Sequence, residues 1–124
     1  MKFTYNKKEK LKSQKAIAQL FLEGHSLSAY PLRLVYQQNE TGIKAGVSVS
    51  KRNFKKAVDR IRIKRLLREA YRLNKNMLID NNSTHYSFMI LYISKEMPDF
   101  ILVDTKMKSL LHKFIDQTSK NLKS

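Results

Sequence analysis

The chain has 124 residues, 25 of them Lys or Arg and 10 Asp or Glu, so its net charge is +15 and its pI about 10.1. This length suits one domain over residues 1–124, and such a charge is tolerated when a polyanion neutralises it, nucleic acid being the usual one. The absence of cysteine excludes disulfides and thiolate zinc sites, and the lack of both a signal-like start and a bilayer-length apolar run predicts a cytoplasmic protein.

The first half of the chain predicts a helix and two strands. Residues 13–22 form a helical pattern, and Gly24 follows where a left-handed C-terminal cap would lie. Residues 32–36 alternate as a strand, residues 39–42 read as a turn, and residues 44–50 form a second strand. One face of that second strand carries only small residues and would be open to a ligand or a helix: Gly46, Ser48 and Ser50.

The second half predicts a long helix, a central strand and a final helix. The long helix spans residues 57–74, and residues 86–93 are apolar on both faces, as in a strand buried on both sides. Asp104 or Thr105 is the expected cap of the last helix, and residues 100–103 are a possible further short strand. The order of elements predicts a sheet with helices packed on it.

Residues 51–75 carry eleven cations against two acids, a net charge of +9. On a helical wheel Ile63, Leu66, Leu67, Ala70 and Leu73 form an apolar seam, whereas Arg60, Lys64, Arg68 and Arg72 form an opposite row flanked by Arg65 and Tyr71. Like charges at this spacing destabilise an isolated helix, so the row predicts a phosphate-binding face. Ile61 is an aliphatic side chain in the middle of that face.

Two stretches resemble the signature of the bacterial ribonuclease P protein family. Residues 46–51 read Gly-Val-Ser-Val-Ser-Lys and residues 57–69 read Ala-Val-Asp-Arg-Ile-Arg-Ile-Lys-Arg-Leu-Leu-Arg-Glu. The family pattern is Gly-x-x-Val-Ser-Lys-Lys, a short loop, then Ala-Val-x-Arg-Asn-Arg-x-Lys-Arg-x-x-Arg-Glu. Ile61 departs from it where the family has Asn, and the loop of residues 52–56 is slightly longer and more basic.

The resemblance implies an α/β (α+β) sandwich with three helices, a mixed sheet of about four strands and a left-handed βαβ crossover, against the general rule. It also implies the non-catalytic protein subunit of an endoribonuclease, whose partner RNA uses bound Mg²⁺ to remove the 5′ leader of precursor tRNA. The leader would lie in a cleft between the sheet and the first helix, and the basic helix would face the catalytic RNA.

Two sets of residues are therefore expected to contact RNA. The leader would meet Ile17, Phe21, Tyr36 and Tyr92. The catalytic RNA and substrate phosphates would meet Lys51, Arg52, Lys55, Lys56, Arg60, Ile61, Arg62, Lys64, Arg65, Arg68 and Arg72.

Three other readings share part of this pattern. Another basic RNA-binding protein, such as a ribosomal protein, would share the charge but not the ordered signature. An enzyme with its own active site would need a catalytic arrangement, and the dispersed His25, His85 and His112 do not suggest one or a metal site. A membrane-surface helix would need a free apolar face, whereas the seam of the basic helix is expected to serve the core.

Overall fold

The structure, a computed structural model, describes residues 14–81 and 85–123. Within these ranges it contains four strands and three long helices, with one short helix. In chain order the elements are α1 (Gln14–Glu23), β1 (His25–Ala29), β2 (Leu32–Gln38), β3 (Lys44–Val49), α2 (Ala57–Asn74), α3 (Asn76–Asp80), β4 (Tyr86–Tyr92) and α4 (Phe100–Lys123). None of the described helices is long and apolar enough to cross a membrane.

The four strands form one mixed sheet in the order β1-β2-β4-β3. β2 is antiparallel to both β1 and β4, and β3 is parallel to β4. β4 is therefore internal, and Phe88, Met89 and Ile90 are buried one after another, which confirms the strand predicted to be covered on both sides. The parallel pair β3–β4 is connected through α2 and α3; the left-handedness of this crossover stays a prediction.

Each strand divides its side chains between two faces of the sheet, because successive residues point to opposite sides. On the inner face, even-numbered residues of β2 and β4 pack under α2 and α4 into the main core, with Leu34, Phe88 and Phe114 among its members. On the outer face, Val35 and Met89 pack with Leu20 of α1 in a second, smaller cluster. Among the helices of the described residues, α1 is thus the one that lies on the face opposite α2 and α4.

Three further features of the fold were missed or misread. β1 was not predicted, because only Leu27 and Ala29 are apolar in this exposed edge strand. The short α3 was not foreseen. Gly24 has no left-handed backbone; its amide N–H donates to the Leu20 carbonyl oxygen at 2.8 Å, and a Cβ there would lie 2.4 Å from that oxygen and 2.9 Å from the carbonyl oxygen of Tyr36.

The start of the last helix was also predicted wrongly. No strand forms at residues 100–103, because α4 already begins at Phe100. Asp99 caps it: its Oδ1 accepts the amide N–H of Leu102 at 2.8 Å, which satisfies a donor that the first helical turn leaves free. Asp104 instead accepts a 2.8 Å hydrogen bond from Nδ2 of Asn74 and pairs with Lys108, so it joins the two long helices.

The predicted faces of α2 are correct as far as Ala70 and rotated in its last turn. Ile63, Leu67 and Ala70 are buried as expected, but Tyr71, placed beside the basic row, is also buried, and Leu73, placed in the seam, is 41% exposed. The reason is α4, which packs along the end of α2 and turns the seam toward Tyr71 and Asn74. The boundaries of α2 are those predicted.

Candidate nucleic-acid interface

A cleft runs between α1 and the outer face of the sheet. It contains a cavity of about 190 Å³. Phe21 of α1 and Gly24, which follows the helix, form one side. The sheet side is formed by residues of β1, β2 and β4 and by the residue after β4: Ser26, Arg33, Val35, Leu91 and Ile93. The ring of Phe21 is 48% exposed and Ile93 is 38% exposed. An apolar floor with one exposed ring and one guanidinium is suited to a flexible strand that carries both flat bases and phosphates.

The missing side chain of Gly24 allows α1 to come this close to β2. Any Cβ at this position would collide with backbone oxygens of both elements. The same glycine lies between the end of α1 and the start of β1, so it determines how close Phe21 lies to the sheet. A close approach of two backbones is one of the few situations that specifically requires glycine.

Of the four predicted leader contacts, the structure places one in the lining of the cleft and a second beneath it. Phe21 lines it, and Ile17 is half-buried against the small cluster of Leu20, Val35 and Met89 beneath it. Tyr36 and Tyr92 do not face it, and their prediction as cleft residues is wrong. Both belong to the main core on the inner face.

The burial of these two tyrosines has clear partners. The ring of Tyr36 packs edge-on against Phe114, with centroids 4.9 Å apart, and the hydroxyl of Tyr92 donates a 2.6 Å hydrogen bond to the carbonyl oxygen of Glu96. Burial raises the pKa of both phenols above its ordinary value, because the charged phenolate loses solvation.

The residues that do line the cleft have odd numbers in β2 and β4. Arg33 pairs with Leu91 across the two strands, and Val35 pairs with Met89. The sequence held a usable signal: the small residues of β3 were recognised as an open face, and the parallel register places Gly46 beside Met89 and Ser48 beside Leu91. Extending that face across the sheet would have selected the odd residues.

A basic loop, residues 50–56, connects β3 to α2 and is held by its own backbone. The amide N–H of Phe54 donates to the Ser50 carbonyl oxygen at 3.1 Å, and that of Arg52 donates to Ser50 Oγ at 3.1 Å. Phe54 is buried near Tyr92, with ring centroids 6.1 Å apart. With its apolar residue anchored in the core, the loop holds its four cations in solvent: Lys51, Arg52, Lys55 and Lys56.

Two arginines of the basic helix already have partners within the protein. Arg60 donates from Nη1 to the carbonyl oxygens of Phe54 and Lys55, at 2.7 and 2.9 Å, and so ties the helix to the basic loop. Arg72 forms a two-pronged ion pair with Glu69, and this hydrogen bonding raises the pKa of its guanidinium. Their predicted contacts with RNA would compete with these internal bonds.

The remaining cations of α2 form its solvent face. Arg62, Arg65 and Arg68 are exposed, and Lys64 is half-buried. In the part of the chain that the structure describes, none of these four forms an ion pair with an acidic side chain. Val58 and Ile61, one helical turn apart, lie among them and are 68% and 54% exposed. The placement of Ile61 off the apolar seam is thus confirmed.

The cleft and the basic loop meet at one end of the sheet. Val49, the last residue of β3, pairs with Tyr92 at the end of β4. Ile93 of the cleft and Ser50 of the loop are the next residues of the two parallel strands, so they leave the sheet side by side. A nucleic-acid strand leaving the cleft at Ile93 would therefore meet Lys51 and Arg52.

The three histidines stay apart, on β1, before β4 and within α4, and all are exposed. Among the described residues, no three His, Asp or Glu side chains converge as a metal site would require. The exposed cations of the basic loop and of α2, and the exposed ring of Phe21, are groups that can contact phosphates and bases.

Comparison with known proteins identifies the family of this chain. The family model described as Ribonuclease P matches residues 5–115. This chain belongs to the ribonuclease P protein family. A ribonuclease P protein component from Porphyromonas gingivalis is 39% identical over 116 residues, which covers 88% of this chain and 85% of that protein. One from Chlorobium phaeobacteroides is 34% identical over 123 residues, which covers 86% and 84% of the two chains.

Solved structures of the family share this fold. The ribonuclease P protein of Thermotoga maritima matches with a TM-score of 0.72 at 25% identity, over 85% of this chain and 96% of that one. The Staphylococcus aureus protein matches with a TM-score of 0.68 at 20% identity, over 84% and 93%. The small α+β fold is therefore that of the family, and the reading as a ribosomal protein is set aside.

Proposed function

We propose that this protein is the RNA-binding, non-catalytic subunit of a ribonuclease P holoenzyme that removes the 5′ leader of precursor tRNA in the cytoplasm. The observation that carries the proposal is the junction at Ile93 and Ser50, where an apolar cleft continues into a loop of four exposed cations. One single strand can place its bases in the first and its phosphates on the second.

In this proposal the leader lies along the cleft. Phe21 offers a ring face for stacking, a contact worth about 1–3 kcal/mol per base in single-strand binding proteins. Arg33, exposed on the cleft floor beside Ser26, supplies a guanidinium for a phosphate or a base edge. Lys51 and Arg52 hold the phosphates that emerge. Ile17 supports the floor from below.

The solvent face of α2 binds the catalytic RNA. Arg62, Arg65 and Arg68 project from a rigid helix without acidic partners among the described residues, so their charges are available to phosphates. Guanidinium groups match phosphate oxygens two at a time, and each contact releases counterions from the RNA. The repulsion between neighbouring cations in the free protein is then relieved on binding.

The chemistry itself belongs to the partner RNA with its Mg²⁺ ions. Because no group of carboxylates or imidazoles converges in the described residues, this chain does not fit a protein-held Mg²⁺, and we assign the metal to RNA phosphates. The role of the protein is to bind and orient the substrate beside that RNA and to neutralise charge where the two RNAs approach.

A reconstitution assay tests this division of labour. Protein freed of RNA under denaturing conditions and refolded should leave precursor tRNA intact. Added to a cognate catalytic RNA at modest Mg²⁺ concentration, the same protein should stimulate release of the leader. Turnover by the RNA-free protein, or a failure to stimulate any cognate RNA, would contradict the proposal.

A further inference from the structure

A second and larger cavity, of about 520 Å³, lies at the opposite end of the sheet from the basic loop. It opens between the end of α1 and α4, and its lining is mostly polar. Its lining includes the acidic Glu23, the aromatic residues His25, Tyr36 and Tyr86, and the amide-bearing Gln38 and Gln117. A carboxylate is unexpected in the wall of a cavity on a strongly cationic RNA-binding protein.

The carboxylate of Glu23 is held in place by two amides. Gln19 and Gln37 donate hydrogen bonds from Nε2, each 3.2 Å long, and both donate to the same oxygen, Oε2. Within residues 14–81 and 85–123, no hydrogen bond reaches the other oxygen, Oε1. The group is thus oriented by neighbours on α1 and β2 while keeping capacity to accept from a ligand.

Aromatic residues line the same cavity as this acceptor. His25 lies 5.6 Å from Tyr36, centroid to centroid, and Tyr36 lies 6.2 Å from Tyr86. His25 is exposed and Tyr86 is half-buried, so both rings keep surface that a flat ligand can cover. The exposed amides of Gln38 and Gln117 add donors at the mouth of the cavity.

A carboxylate beside rings and amides selects among the nucleobases. Guanine alone presents two adjacent donors, N1–H and the 2-amino group, on its pairing edge, with O6 and N7 as acceptors beyond them. Adenine and cytosine would each turn an unprotonated ring nitrogen toward the carboxylate, and uracil would flank its single donor with two carbonyl oxygens. Rings such as histidine and tyrosine provide the stacking that unpaired bases use.

We propose that this cavity binds an unpaired guanine of RNA, with Glu23 as the residue that determines specificity. The position of this cavity next to the cleft indicates that the base belongs to an RNA strand. The last turn of α1 separates the two cavities: Phe21 and Gly24 line the cleft, and Glu23 and His25 line the second cavity. A strand in the cleft can therefore continue past this turn. The choice of RNA as source rests on the proposed function, whereas the guanine preference does not.

Titration of the full-length protein with mononucleotides, followed by amide chemical shifts, tests the preference. GMP, IMP and AMP carry the same phosphate, and IMP lacks only the 2-amino group of GMP. GMP should bind about tenfold more tightly than AMP and several-fold more tightly than IMP, because both donors of the guanine edge can reach Oε1, the oxygen that the two amides leave open. The shifted signals should include those of His25 and Tyr86. Equal affinity for the three nucleotides would overturn the proposal.

Glu23→Gln keeps the shape of the side chain and should remove the preference for GMP over IMP. Glu40→Gln, in the exposed turn after β2 and outside the cavity, removes the same charge and should retain the preference. A uridine oligonucleotide with one central guanosine should bind more tightly than GMP; if it does not, the site serves a free nucleotide and the RNA assignment is wrong. Phe21→Ala should weaken leader binding and leave the GMP preference intact, which separates a failed leader assignment from a failed guanine site.

Discussion

The guanidinium of Arg60 donates a 2.7 Å hydrogen bond to the carbonyl oxygen of Phe54, six residues earlier in the chain. The first arginine of the basic helix therefore holds the basic loop against the helix, in addition to contributing positive charge. Because the ring of Phe54 is anchored against Tyr92, the bond fixes the loop between the core and the helix. It holds Lys51 and Arg52 next to the end of the cleft.

Arg60→Ala should therefore lower folding stability and RNA affinity together. A hydrogen bond from a charged donor contributes about 1.5–3 kcal/mol, and partial exposure of Arg60 places the expected loss near the lower end. Arg62→Ala, two residues away and exposed, should weaken RNA binding and leave stability nearly unchanged. Urea denaturation of both variants, beside their affinity for the catalytic RNA, provides the comparison. Equal stability of the two variants would show that the bond does not hold the loop.

Substitutions of Phe21 and Tyr36 should affect different properties of the protein, because Phe21 lines the cleft and Tyr36 lies in the core. Phe21→Ala should lose roughly 1–3 kcal/mol of leader-dependent binding with little effect on folding. Tyr36→Ala should instead lose roughly 3–5 kcal/mol of folding stability, as large-to-small core substitutions do. Leu22→Ala, next to Phe21 and 85% exposed, is the matched control. The measurement is the ratio of affinities for precursor and mature tRNA in the holoenzyme, beside a thermal melt.

If Phe21→Ala folds and the ratio of affinities for precursor and mature tRNA is unchanged, the leader does not bind in the cleft. If Tyr36→Ala folds but the preference for precursor over mature tRNA is lost, the ring of Tyr36 does contribute to leader binding, through the second cavity that it borders.

The sequence predicted what local periodicity encodes and failed where tertiary contact decides. The bounds of α2 and the burial of β4 followed from spacing alone. The prediction of Tyr36 as a cleft residue failed because alternation divides a strand into two faces without saying which face receives α1. The rotated seam at Leu73 and Tyr71 depends on where α4 crosses α2, and a contact between residues as distant as Asn74 and Asp104 leaves no periodic trace in the chain.

Arg65 and Arg68 should bind RNA mainly through phosphates. Charge reversal of either one to Glu should lower affinity and flatten the dependence of log affinity on log salt by about 0.7–0.9 for each phosphate that the protein no longer neutralises. Thermal stability should stay unchanged or rise, because repulsion along the helix is relieved. Lys106→Glu, which makes the same charge change on α4, should leave the slope nearly unaltered. If Lys106→Glu flattens the slope equally, the protein is acting through net charge, and the basic helix has no special position on the RNA.

Ile61 offers the sharpest test of the helix faces, because its neighbour two residues on has the opposite environment. Ile61 is 54% exposed among cations, whereas Ile63 is fully buried in the core. Ile61→Asn installs the residue of the family pattern and should leave the free energy of unfolding nearly unchanged, since little apolar area leaves the core. The new amide can hydrogen-bond RNA where Ile offers only apolar contact, so affinity for the catalytic RNA should hold or improve.

Ile63→Asn makes the same chemical change two residues away and should be strongly destabilising. It should lose at least the roughly 2–5 kcal/mol that truncating a buried Ile to Ala costs, with a further loss for burying an amide that lacks a partner. Urea denaturation compares the two variants, and filter binding measures the affinity of Ile61→Asn for the catalytic RNA. A loss of several kcal/mol in stability for Ile61→Asn would mean that this side chain is buried. A large loss of affinity in a fully stable variant would instead show that the exposed pair Val58 and Ile61 makes an apolar contact with RNA, for which Asn is a poor substitute.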